Sequence, residues 1–243
     1  MLICAATGNS GKLKELRRIL EAQGHQVKSQ KELGITLDPE ETGTTFEQNA
    51  VIKAQAICQA SGLPTVADDS GLSVDALNGE PGVYSARYCG RHGDDEANND
   101  KLLQAMADVP QGSRAAHFTS AVCLMLPTGQ KIVFMGECPG RIGFERQGTN
   151  GFGYDPLFIP DFVGGADGLS RSPNAQGLTY AQLEDWQKDA ISHRGAALRE
   201  MKRLLPGFLQ EAGQGVDFTR NEKEDGEFLV EHSRSSAIET QNA

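Results

Sequence analysis

The sequence is short of several things at once, and each shortage removes a class of protein. No stretch approaches the about 18 uninterrupted apolar residues of a membrane-spanning helix, so no membrane partner is expected. The opening MLICAATGNSGK has no basic lead and only a short apolar run, so it does not read as a secretory leader. Basic residues number 23 against 33 acids, a net charge of −10, which argues against a broad nucleic-acid-binding face. Cysteines are few and odd in number, and Cys4, Cys58, Cys89, Cys123 and Cys138 include no Cys-x-x-Cys pair. A disulfide framework or structural zinc site is therefore not expected, and reduced thiols in a cytoplasm fit better. His92 and His117 have no partners at metal-ligand spacing.

What is present is 243 residues, 38% hydrophobic and 23% charged, enough for one α/β domain with a substantial core. The charge is segregated. Residues 207–243 hold eight acids and three bases without periodicity, half of the chain's net charge of −10, and read as an acidic, flexible tail after a body of residues 1–206.

Leu2 to Ala6 predicts a first strand. The turn Thr7-Gly8-Asn9-Ser10-Gly11-Lys12 leads into a helix with Leu13, Leu16, Ile19 and Leu20 at helical spacing. Such a turn presents free backbone N–H groups to phosphate, although the spacing of Gly8, Gly11 and Lys12 is not that of a P-loop. Lys12 in the first turn, like His193 and Arg194 after the capping Ser192 of the last helix, opposes the helix dipole. An anionic ligand or a nearby acid would relieve that conflict. Between them, Thr45 and Gln48 fit a capping box for a helix that carries Asn49 and Lys53 on one face, with Glu41 just before it.

The centre of the chain is Val66-Ala67-Asp68-Asp69-Ser70-Gly71, expected to be a strand end that turns and delivers two carboxylates to a sheet edge. His117 to Leu126 and Lys131 to Gly136 predict a hairpin of nearly continuous apolar character. In RQGTNGFGYDP, glycines would allow close approach to a ligand, while Phe152 and Tyr154 offer faces on which a base could stack. Asp161 to Tyr180 reads as an exposed polar loop, and Trp186 with Lys188 as part of a short helix.

Five segments, ATGNSGK, ETGTTFEQNAVIKA, ADDSGLSVDALNGEPGVYSARY, GFGYDPLF and AISHRGAAL, resemble in order and spacing the inosine triphosphate pyrophosphatase family, over about Leu2 to Leu205. The resemblance implies a long twisted mixed β-sheet with flanking helices, two lobes around a central nucleotide cleft, and a homodimer. It implies Mg2+-dependent hydrolysis of inosine, deoxyinosine or xanthosine triphosphate to the monophosphate and pyrophosphate. By the same resemblance, Thr7, Gly8, Asn9, Ser10, Gly11, Lys12 and Lys53 would bind phosphates, Glu41 and Asp69 the metal, and Asp69 would accept the proton. Ser70 would contact substrate, and Phe152, Gly153, Tyr154, Asp155, Lys188, His193 and Arg194 would hold and read the purine, with Asp68 in support. Three other readings compete: a γ-phosphatase, a house-cleaning pyrophosphatase for other modified nucleotides, and a nucleotide-binding protein without turnover.

Overall fold

The computed structural model describes residues 1–213. The elements are β1 (Leu2–Ala5), α1 (Ser10–Glu21), β2 (Gln26–Ser29), α2 (Phe46–Ser61), β3 (Thr65–Val74), α3 (Asp95–Ala105), β4 (Ala115–Met125), β5 (Lys131–Ile142), β6 (Phe158–Pro160), β7 (Phe162–Gly164), β8 (Arg171–Pro173), α4 (Asp185–Ile191) and α5 (His193–Gly213). Six strands form one mixed sheet in the order β2-β1-β3-β4-β5-β6. β1 is parallel to both β2 and β3, while the pairs β3–β4, β4–β5 and β5–β6 are antiparallel. The α/β expectation is met.

Strand alternation sorts the core. Ile3 and Ala5 of β1 and Val66 of β3 join Leu16 and Leu20 of α1 and Leu198, Met201 and Leu205 of α5 on one face. Their neighbours Cys4, Ala6 and Ala67 join Ala50, Ala54 and Ile57 of α2 on the other. A third cluster, at the far end of β3, gathers Leu72 and Val74 with Leu102, Phe118, Phe158 and Tyr180.

Three expectations change. Asp68-Asp69-Ser70-Gly71 is not a turn after a strand end but the middle of β3, which pairs continuously with β4 from Thr65↔Met125 to Val74↔Ala116. Gly71 is there for space: a Cβ would lie 2.4 Å from Gly82 O and Ser85 Oγ of the 3-10 segment Gly82–Arg87 packed over it. Residues 161–180 are not simply loop, because β7 and β8 pair and Tyr180 is fully buried. Finally, α5 continues through Pro206 to Gly213, with Phe208 and Leu209 against the α1/α5 cluster. The boundary read at 206 thus falls inside α5, and the remainder of the expected tail, 214–243, lies outside the described residues.

Candidate active site

The site arises from a gap in the cover of one strand edge. β1 pairs with β3 only at Thr65 and Val66, and the last backbone bond is Ala6 N to Val66 O at 2.8 Å. Further along, Ser85 Oγ of the 3-10 segment takes over by accepting from Leu72 N at 2.9 Å. In between, the Asp68 carbonyl has no strand partner, and it accepts from Lys53 Nζ at 3.0 Å and Lys12 Nζ at 3.5 Å. An open edge at the carboxyl end of a parallel strand is where α/β sheets bind ligands.

Alternation then sends the two carboxylates to opposite faces. Asp69 faces α2, where Lys53 Nζ lies 3.1 Å from Oδ1 and Asn49 Nδ2 donates to Oδ2 at 3.2 Å. The same Lys53 meets Glu41 Oε1 at 2.8 Å, and Arg87 lies 3.6 Å from Glu41 Oε2. Burial raises the Asp69 pKa; Lys53 and Lys12 oppose that rise and the Glu41 charge reinforces it. Burial also works against the Lys53 ammonium, but Asp69 and Glu41 outweigh it and hold its pKa above the ordinary value.

Asp68 faces α1 and α5. Its Oδ2 takes Lys12 at 3.0 Å, Arg194 at 2.8 Å and the Ser70 hydroxyl at 3.1 Å, while Ser120 donates to Oδ1 at 2.5 Å. Burial would raise this carboxyl, yet Arg194 and Lys12 hold it well below the usual carboxylate range. Beyond Arg194 the network runs on through Glu15, which ion-pairs with Arg194 and, at 2.8 Å, with Lys188. Burial disfavours the Glu15 charge, but Arg194 and Lys188 lower its pKa to about 2. Lys188 also meets Asp155 Oδ2 at 2.6 Å, and that oxygen accepts from Phe152 N at 2.9 Å. Burial alone would lower Lys188; its two carboxylates raise it instead. Asp155, fully enclosed, is raised by burial despite Lys188.

The turn Thr7–Lys12 leads from β1 into α1, as the sequence predicts: Thr7 Oγ1 accepts from Asn9 N at 3.1 Å, and Asn9 caps α1 by accepting from Lys12 N at 2.9 Å. Gly8, Asn9 and Ser10 are exposed, and Gly11 lies under the Phe152 ring. Burial lowers the Lys12 pKa, with Asp68 resisting and Lys53 and Arg194 adding to the fall. The dipole conflict at both helix starts is met by acids, Asp68 for Lys12 and both Asp68 and Glu15 for Arg194.

The predicted residues therefore divide. Lys12, Glu41, Lys53, Asp68, Asp69 and Ser70 converge at the edge gap, and Phe152, Asp155, Lys188 and Arg194 form an adjoining polar wall. Phe152 is half-buried, with Lys188 Nζ 4.9 Å from its ring centroid. Tyr154 does not offer a stacking face, because its ring is in the core and its hydroxyl donates to Ser85 O at 2.9 Å. Gly153 is tied to α3 through Asn99 and Asp95. His193 is buried and stacked on Phe118 at 4.7 Å, and burial with the Arg194 charge depresses its pKa strongly. His193 Nδ1 and Arg194 Nε are buried without a hydrogen-bond partner.

Sequence reasoning did not pick out Glu15, Arg87 or Ser120. Glu15 carried one usable signal: it sits one turn after Gly11 and beside Leu16, on a face that reads as buried. Arg87 and Ser120 carried none, since their approach depends on tertiary contacts.

Among the described residues, no three His, Cys, Asp or Glu side chains form a cage that could hold a metal ion. Glu41 and Asp69, two hard oxygen donors sharing one ammonium and repelling each other, fit a divalent cation that completes its shell with water and phosphate. Two lysines beside a carboxylate pair at an open sheet edge could hold an anionic ligand together with a divalent cation. The chain belongs to the Ham1 family, whose model matches residues 3–204. A dITP/XTP pyrophosphatase of Nocardia farcinica is 50% identical over 207 residues, covering 84% of this chain and 93% of that protein. One from Haemophilus influenzae is 49% identical over 205 residues, covering 84% and 98%. Among solved structures, the Ham1 protein of Staphylococcus aureus matches with a TM-score of 0.70 at 39% identity, covering 85% of this chain and 99% of that one. A HAM1 protein from Coxiella burnetii matches with a TM-score of 0.71 at 36% identity and the same coverage.

Proposed function

We propose that this chain hydrolyses non-standard purine nucleoside triphosphates, those of inosine, deoxyinosine and xanthosine, to the monophosphate and pyrophosphate. The observation that carries this reading is the convergence of Lys12, Lys53, Glu41 and Asp69 on the uncovered edge of β3, in a chain half identical to dITP/XTP pyrophosphatases.

In this reading Lys12 and Lys53 hold phosphate oxygens, and the depressed Lys12 pKa marks a cation that an anionic ligand would favour. Asp69 accepts the proton of the attacking water, and its raised pKa makes it a better base than an exposed aspartate. Mg2+ held by Glu41 and Asp69 would supply positive charge to offset that of the triphosphate. The turn Thr7–Lys12 offers backbone N–H groups to the phosphates. Beside that turn, the half-buried Phe152 ring would pack against the purine, while Arg194 Nε and His193 Nδ1 are buried polar atoms without a partner in its neighbourhood. Lys188, held between Glu15 and Asp155, is a fixed donor suited to a 6-oxo group.

The same reading makes the protein a cytoplasmic homodimer with no nucleic-acid partner. Its free cysteines suit a reducing compartment, and no helix among the described residues is long and apolar enough to cross a membrane. The test is a nucleotide panel with pyrophosphate detection, run with and without Mg2+. Inosine triphosphate should yield the monophosphate and pyrophosphate. Release of orthophosphate and the diphosphate would overturn the reading.

A further inference from the structure

The buried amide of Asn49 ties the two halves of the candidate metal site together. Asn49 is fully enclosed in the first turn of α2. Its Oδ1 accepts from Gly43 N at 2.8 Å, and its Nδ2 donates to Asp69 Oδ2 at 3.2 Å. Gly43 lies two residues from Glu41, in the segment that joins β2 to α2. One side chain thus links the backbone that carries Glu41 to the carboxylate of Asp69.

The neighbouring contacts favour this reading over a simple space-filling one. Gln48 Oε1 accepts from Thr44 N at 2.8 Å, so successive side chains of α2 hold successive amides of the Glu41 segment. A Cβ on Gly43 would lie 2.6 Å from Asn49 Oδ1, so residue 43 admits the amide only while it has no side chain. Lys53 takes Asp69 Oδ1, leaving Oδ2 to Asn49, and these two contacts define the carboxylate plane.

We infer that Asn49 is a positioning residue that sets the Asp69 carboxylate relative to Glu41 for a divalent cation. The inference rests on the proposed roles of Glu41 and Asp69. Removal of a side chain that orients a metal ligand typically costs about 10–100-fold in metal affinity or activity.

The test uses the full chain. Asn49→Leu removes both hydrogen bonds at similar volume. Asn49→Asp keeps the acceptor for Gly43 and replaces the donor to Asp69 with a like charge. Gly43→Ala disturbs the link from the loop side, its Cβ meeting Asn49 Oδ1 at 2.6 Å and Gln48 Cβ at 2.7 Å. Measured are kcat and KM for inosine triphosphate, thermal midpoint, and Mn2+ binding by electron paramagnetic resonance with a non-hydrolysable inosine triphosphate analogue.

Asn49→Asp should lower kcat about 10–100-fold with little change in KM and, because it buries a second carboxylate against Asp69, a lower midpoint at neutral pH. Asn49→Leu should also weaken Mn2+ by about 10–100-fold, and Gly43→Ala should lie between it and the parent. A normal kcat in Asn49→Asp would overturn the inference, reducing Asn49 to a loop fastener even if Asn49→Leu fails to fold. Asp69→Asn run alongside separates the two levels. If it keeps turnover and Mn2+ binding, the reading of the site has failed; if it is inactive while Asn49→Asp is normal, only the role of Asn49 has.

Discussion

Asp68 and Asp69 are adjacent in sequence, identical in type and both buried, yet they occupy different chemical worlds. The sheet separates them. Asp68 faces α1 and α5, where two cations and two hydroxyls saturate it and hold its pKa well below normal. Asp69 faces α2, where burial and the Glu41 charge raise it against the pull of Lys53. A saturated, strongly ionised carboxylate is poor at accepting a proton and good at holding cations in place. A destabilised one beside an open edge is suited to a metal and to base catalysis. The pair teaches that an acidic doublet in a strand is two sites, one per face.

The comparison breaks most sharply at Asp69. Asp69→Asn should lower kcat by about 10²–10⁴-fold, the usual worth of a positioned base, in the pyrophosphate-release assay. It should lower the thermal midpoint at neutral pH only slightly, because burial already opposes the Asp69 charge and Lys53, though it loses one carboxylate, keeps Glu41. Near-normal turnover would end its assignment as the base. Asp68→Asn should do the reverse in kind, weakening the fold by about 3–5 kcal/mol by leaving Arg194 and Lys12 without their shared carboxylate. Calorimetry should show a midpoint lower by roughly 10 °C, and an unchanged midpoint would show that the pairs contribute nothing net.

Glu15 sharpens the contrast through pH. Its folded pKa is about 2 against 4.5 for the free group, so its stabilisation is full above about 4.5 and is lost as pH falls toward 2. Glu15→Gln should flatten the acid limb of the stability profile in that window, and an unchanged limb would contradict the depressed pKa. Smaller in effect, Lys12→Ala should cost roughly 10–100-fold in kcat/KM, about the worth of one charge-assisted hydrogen bond, with KM raised and kcat lowered together. Last comes the chain end. Stopping after Pro206 removes Phe208 and Leu209 from their packing against the α1/α5 cluster and should lower stability by about 2 kcal/mol.

Much of the architecture was legible. Apolar spacing located α1 and α2, Thr45 stands at the helix start it was suited to cap, and β4 and β5 form the expected hairpin. One detail of the capping box differs, since the Gln48 side chain reaches Thr44 N instead of Thr45 N. The polar stretch 161–180 concealed β7, β8 and a buried Tyr180, because strands of three residues leave no usable period. Tyr154 looked like a platform for a base because aromatics beside glycines suit either a core or a ligand. Its hydroxyl, bonded to Ser85 O, decided for the core.

The sequence by itself determined the local matter: which segments are amphipathic, where helices are capped, which side chains can bind phosphate or metal, and in what order they occur. It carried the resemblance to the pyrophosphatases on that order alone. Only the tertiary structure decided that Asp68 and Asp69 lie within a strand and on opposite faces, and that β1 ends early enough to leave the Asp68 carbonyl to two lysines. The reason is physical. Alternation is a local property, but register and the length over which one strand covers another depend on partners far along the chain. The chemistry of a carboxylate follows from those partners.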